Sequence, residues 1–137
     1  MVEALTHAAI YVKDMEESLD FYERALGFKK IFELPDPETG EPWIVYIQVC
    51  KGQFIELFYT KPGSEIVPDP EVGMNHLCFL VDDVHATAEH LEKEGFDVFI
   101  KPCKGCDNNW QTWVKDPNGV RIELMKVMPD SPHAKYM

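Results

Sequence analysis

Residues 6–32, THAAIYVKDMEESLDFYERALGFKKIF, and residues 75–100, NHLCFLVDDVHATAEHLEKEGFDVFI, share one grammar. Each opens with a short apolar run holding a single His and then passes an Asp able to cap a helix. About a dozen residues of helical periodicity follow, and a Gly stops the helix before an apolar strand. In the first copy Asp14 is the expected N-cap, with Glu17 three residues on. Met15, Leu19, Tyr22 and Leu26 form its apolar stripe and Gly27 its stop. In the second copy the cap is Asp83, the stripe is Val84, Ala88 and Leu91, and the stop is Gly95. His85 and His90 fall off that stripe and are expected in solvent.

Working outward, three strand-forming runs follow each helix: 29–34, 43–50 and 54–59 in the first half, then 97–101, 110–115 and 120–127 in the second. Turn chemistry separates them at DPETG (36–40), KG (51–52) and DPNG (116–119), and the Pro- and Gly-rich stretch 61–73 reads as a linker. The pattern spells βαβββ twice, an α+β chain. Module 1 spans about 4–60 and module 2 about 74–127, with a tail at 128–137, all within a single domain over 1–137. Each module alone is short for burying an adequate core, so the two are expected to pack as one unit. The tail, MPDSPHAKYM, has two Pro and no apolar periodicity, and is expected either to fray or to lie on a partner subunit.

Composition narrows the function classes. Thirteen Lys and Arg stand against 24 Asp and Glu, a formal charge of −11, which repels phosphate backbones and anionic lipid surfaces. No nucleic-acid or membrane partner is expected. No apolar run reaches the roughly 20 residues that cross a bilayer, and the acidic start lacks the basic flank of a signal peptide, so a cytoplasmic location is expected. The four cysteines, 50, 78, 103 and 106, are expected as free thiols, Cys50 and Cys78 as small apolar residues within strands. Cys103 and Cys106 form a lone CxxC without the second ligand pair of a zinc site. Lys104, Asn108 and Asn109 sit in a polar stretch read as a solvated turn. Trp43, Trp110, Trp113, Phe54 and Phe58 are read first as core and second as lining a substrate cavity.

Four polar residues interrupt the apolar strands: His7 in LTHAAIYV, Glu56 in QFIELFY, His76 in MNHLCFLV and Glu123 in VRIELMKV. His7 and Glu56 are 49 residues apart and His76 and Glu123 are 47 apart, so the repeat carries the pair with it. A carboxylate flanked by Phe54, Ile55, Leu57 and Phe58 is costly to bury as an unpaired ion, and its strand holds no Lys or Arg. A single divalent cation, Ni, Zn, Co, Mn or Fe, bound by His7, Glu56, His76 and Glu123 resolves the four burials together and leaves positions open for substrate.

This pattern resembles the vicinal oxygen chelate superfamily over nearly the whole chain. The resemblance is carried by His7, the helix signature DMEESLDFYERALGF, Glu56 in FIELF, His76 in GMNHLCFLVDD, and DPNGVRIEL ending in Glu123. It implies two βαβββ modules forming a cupped mixed sheet around a divalent metal, and a homodimer. Glu at the second ligand position is the glyoxalase I pattern; methylmalonyl-CoA epimerases typically carry Gln there, and extradiol dioxygenases use two His and one Glu. The resemblance therefore implies a lyase that isomerises the hemithioacetal of a 2-oxoaldehyde through an ene-diolate, with Glu123 as base and Glu56 as ligand and possible proton partner. Ala9 stands where bacterial glyoxalases usually offer an Arg to the glutathione carboxylate, which leaves the thiol open. The alternatives are an epimerase or isomerase of a small acid or thioester, a dioxygenase, or a metal-free drug-binding resistance protein.

Overall fold

A computed structural model describes residues 1–67 and 72–137; four residues of the expected linker, 68–71, lie outside the described residues. The chain divides into two compact units, Met1–Ile66 and Val67–Met137.

The first unit runs β1 (His7–Val12), α1 (Met15–Leu26), β2 (Lys29–Pro35), β3 (Pro42–Cys50) and β4 (Gln53–Tyr59). Its sheet has the order β1-β4-β3-β2, with β1 parallel to β4 and the other pairs antiparallel. The parallel pairing of first and last strands requires a crossover, which the helix and the β2–β3 hairpin supply. Asp14 caps α1 by accepting from the Glu17 N–H at 2.9 Å, and Gly27 closes it in the left-handed region at φ 71°, where residues with a Cβ are strained. Ile10, Val12, Val45, Ile47, Ile55 and Leu57 are buried, with Met15, Phe21, Tyr22 and Ala25 of the helix.

The stripe on α1 is rotated from the sequence expectation. Leu19 and Leu26 are only half-buried, while Ser18, Phe21 and Ala25 go in beside Met15 and Tyr22. Ser18 is tolerated there because its hydroxyl donates to the Asp14 carbonyl at 2.6 Å, which satisfies the polar group within its own helix turn.

The second unit repeats the design: β5 (Leu77–Leu80), α2 (Val84–Lys93), β6 (Val98–Lys104), β7 (Trp110–Lys115) and β8 (Arg121–Lys126), in the order β5-β8-β7-β6 with β5 parallel to β8. Asp83 caps α2 through the His85 and Ala86 N–H groups, and Val84, Ala88 and Leu91 are buried as expected, while His85 and His90 are exposed. Leu91, Ile122, Leu124, Val98 and Val114 are almost wholly removed from water, each side chain contributing about 1.5–3 kcal/mol of burial free energy. β6 runs to Lys104 rather than ending at residue 101, since register shifts on either side of Ile100 let it pass Pro102.

Three other expectations change. Cys50 and Cys78 are free thiols, as expected, but exposed rather than core. Asn109 is not a solvated turn residue: it is buried, its amide nitrogen lies 2.8 Å from Asp107 Oδ2 and 2.9 Å from His133 Nδ1, and its oxygen accepts from the Met128 N–H at 3.0 Å. The tail therefore does not fray. It docks on its own unit, with Ser131 buried and a 3-10 turn at Ala134–Tyr136.

Candidate functional site

Alternation along each strand gives the sheet two faces, and the helix takes only one. In β4, Ile55 and Leu57 are in the core while Glu56 between them occupies the opposite face; in β8, Ile122 and Leu124 do the same around Glu123. Both carboxylates are buried all the same, at 8% and 9% exposure. The four candidate ligands thus fall into one pair per unit.

In the first unit His7 Nε2 lies 3.6 Å from Glu56 Oε1. Glu56 is central in its sheet, paired with Ala9 on one side and Tyr46 on the other. The Tyr46 hydroxyl donates to the Glu56 carboxylate, and this bond, with some burial and the negative charge itself, raises the phenol above its ordinary 10.0. In the second unit His76 Nε2 lies 3.2 Å from Glu123 Oε2, and Glu123 pairs with Cys78 and Trp113. Partial burial and the adjacent Glu123 carboxylate push the Cys78 thiol up to about 12, so a residue exposed overall carries a protonated, unreactive sulfur. The imidazoles are less buried than the sequence implied: His7 is exposed, and His76 is half-buried just ahead of β5 against the Trp113 ring, centroids 4.7 Å apart.

The donor set fits a divalent cation. His76 Nδ1 sits 2.7 Å from the Asn75 side-chain oxygen, a contact that suits a hydrogen on Nδ1 and leaves Nε2 as the ring nitrogen that faces Glu123. Two lone-pair atoms 3.2 Å apart need a cation between them, a proton or a metal ion. Two imidazole nitrogens and two carboxylates suit Ni, Zn, Co, Mn or Fe. Among the described residues no group of three or more His, Cys, Asp or Glu gathers into a single cluster. Each unit on its own presents half of the set.

Sequence reasoning missed Tyr46, Cys78 and Arg121 on these faces. Their signal lay in the register: once Glu56 and Glu123 are fixed, the residues opposite follow from strand pairing. Of the three tryptophans, Trp113 is the one beside a candidate ligand. Trp43 packs on Phe58 and Trp110 against His85.

Two βαβββ units, each with a His–Glu pair on the helix-free side of its sheet, define a protein class. The chain belongs to the Glyoxalase/Bleomycin resistance protein/Dioxygenase superfamily, whose family model matches residues 4–124. It is 29% identical over 126 residues to a probable lactoylglutathione lyase of Vibrio parahaemolyticus, covering 89% of each chain. It is 27% identical over 135 residues to an ethylmalonyl-CoA/methylmalonyl-CoA epimerase of Cereibacter sphaeroides, covering 93% of this chain and all of that one. A glyoxylase/bleomycin resistance protein/dioxygenase domain from Frankia sp. EAN1pec has the same fold, with a TM-score of 0.79 at 19% identity over 93% of this chain and 100% of the other. Among the described residues no helix is long and apolar enough to cross a membrane.

Proposed function

We propose that the protein is a metal-dependent lyase of the glyoxalase I kind, acting on the hemithioacetal formed by a 2-oxoaldehyde such as methylglyoxal and a small thiol, glutathione or another. The observation that carries this reading is the duplicated His–Glu pair with its buried carboxylates, read beside the relatives named lactoylglutathione lyase. His7, Glu56, His76 and Glu123 would hold one divalent ion, supplied by the modules of one chain or of two copies in a homodimer. Bound there, the ion would supply Lewis acidity toward the substrate's oxygens.

The remaining chemistry falls to the chain. Glu123 takes the proton from the carbon bearing sulfur and oxygen, and the proton returns to the neighbouring carbonyl carbon. The product is a 2-hydroxy thioester with the atoms of the substrate and no external oxidant. Glu123 is 9% exposed, with Trp113 opposite it in the register and His76 Nε2 3.2 Å away, so it meets little bulk water. Glu56, which accepts from the Tyr46 hydroxyl, would hand on the second proton between the two substrate oxygens.

The test is turnover by metal-reconstituted protein of methylglyoxal with glutathione, and separately with other thiols, read as thioester formation. Thioester formation that falls by roughly 10²- to 10⁴-fold in Glu123→Gln at unchanged metal content supports the assignment. No turnover with any thiol removes it. The epimerase relative gives the second reading, in which the same base exchanges the proton next to a thioester carbonyl. Deuterium wash-in at that carbon, without lyase activity, favours it.

A further inference from the structure

The two units align position by position on their helix-free faces, and across the β3–β4 and β7–β8 hairpins their charge differs at one cross-strand pair on that face. Registers align His7 with His76, Ala9 with Cys78, Tyr46 with Trp113 and Glu56 with Glu123. Two residues before each Glu stand Phe54 in the first unit and Arg121 in the second; opposite them stand Gln48 and Lys115. The neutral pair Gln48–Phe54 thus has a dicationic counterpart, Lys115–Arg121. Like charges directly opposite in an antiparallel pair repel, with side chains about 5 Å apart at their Cβ atoms, a repulsion that the first unit does not carry.

The surroundings show what the pair can hold. The Arg121 guanidinium lies 5.1 Å over the Trp113 ring and the Lys115 ammonium 5.7 Å over the Phe99 ring, each cation resting on an aromatic face. A guanidinium seated on a ring still has N–H donors to offer. Asp97, Phe99, Lys115 and Arg121 line a cavity of about 330 Å³. Arg121 is shared with a second cavity of about 170 Å³ that includes Asn75, His76 and Asn118. Arg121 therefore bridges the cleft beside the candidate ligand His76 and a roomier cleft farther along the sheet. Asp97 leaves this larger cleft with two positive groups and one negative, a positive patch on a chain of net charge −11.

We infer that Arg121, supported by Lys115, is an anion subsite that grips a carboxylate on the part of the substrate remote from the reacting carbons. A planar fork of donors pairs with a carboxylate through two parallel hydrogen bonds, which fixes orientation as well as affinity. The inference rests on the proposed reaction for the identity of the substrate but not for the subsite itself. It names the thiol as one bearing a carboxylate, and it places recognition in the second unit, where the first has Ala9 and Phe54.

The probe is 4-(methylthio)butanoate against its uncharged methyl ester, with dissociation constants measured by ligand-observed NMR on the full-length protein. The wild type is expected to bind the anion about tenfold more tightly than the ester, a ratio in keeping with one charge-assisted contact at a half-exposed site. In Arg121→Gln the ratio falls to about one through loss of anion affinity alone, Arg121→Lys recovers part of it, and Lys115→Gln lowers it less. Equal binding of both probes by the wild type, or an undiminished ratio in Arg121→Gln, overturns the subsite. A methylthioalkyl phosphate monoester binding tenfold more tightly than the carboxylate overturns the ligand class. The two readings fail separately. Selective binding without hemithioacetal turnover leaves the subsite and removes the lyase, while turnover with equal dissociation constants does the reverse.

Discussion

Asp116 opens the turn that delivers β8, and its replacement by Ala gives a magnitude that can be worked from contacts. Its Oδ1 accepts from the Val120 N–H at 2.7 Å and the Asn118 N–H at 2.9 Å, its Oδ2 accepts from the Asn118 amide at 3.1 Å, and the residue is 4% exposed. A hydrogen bond to a charged group contributes about 1.5–3 kcal/mol, and a buried donor left without its partner carries the full desolvation cost. Asn118 and Val120 are both half-buried, so we count the shortest bond, from Val120, in full and the others in part, for about 3 kcal/mol. At roughly 3–4 °C per kcal/mol for a chain of this size, Asp116→Ala melts about 10 °C below wild type by calorimetry. Asp116→Asn keeps an acceptor oxygen and loses less. Asp36 is the control: its carboxylate accepts from the Glu38 and Thr39 N–H groups at 2.9 Å each, a similar local motif at a half-buried position, so Asp36→Ala costs markedly less. A melting point for Asp116→Ala within 3 °C of wild type, or equal to that of Asp36→Ala, would refute the view that burial decides the value of the turn.

Three further outcomes are expected. Hydrogen bonds from Ala86 and His85 hold the Asp83 carboxyl below its ordinary 3.8. A carboxyl depressed on folding stabilises above its unfolded value and ceases to as pH falls through the folded one, so Asp83→Ala lowers the melting point at pH 7 and the gap to wild type closes below about pH 4. A gap independent of pH excludes the charge as its source. Tyr46→Phe removes the donor to Glu56 and is expected to lower kcat/KM about tenfold at unchanged metal content, the low end of one charged hydrogen bond; unchanged kinetics with wild-type metal content separate Tyr46 from the reaction. Leu91→Ala, at a fully buried position of α2, destabilises by about 2–5 kcal/mol in chemical denaturation, and a loss under 1 kcal/mol contradicts the packing described.

The sequence made the fold legible because its signals were local and duplicated. Caps at Asp14 and Asp83, stops at glycines and alternation in the strands each depend on neighbours a few residues away. What it left out depends on distance along the chain. The α1 stripe came out rotated because a small polar residue, Ser18, satisfies itself against its own helix and so enters the core where hydropathy would exclude it. Asn109 looked like a turn residue because its partners at Met128 and His133 are 19 and 24 positions on. The candidate site showed its His and Glu as polar intrusions in apolar runs. Arg121 and Lys115 carry no local signal; the β7–β8 register sets them opposite each other, with Arg121 over Trp113. The spacings showed that the repeat carries each His with its Glu; their meeting, His7 Nε2 3.6 Å from Glu56 Oε1, depends on the parallel β1–β4 ladder.

The central claim is that the two His–Glu pairs serve one divalent ion, and elemental analysis after reconstitution with a divalent metal and exhaustive dialysis tests it most directly. Wild-type protein is expected to retain about one ion per set of four ligands, the site's full stoichiometry, and both His76→Ala and His7→Ala, folded by circular dichroism, to retain almost none, because a mixed-donor site that loses an imidazole loses most of its affinity. Metal-free wild-type protein, or full occupancy in both variants, would contradict it.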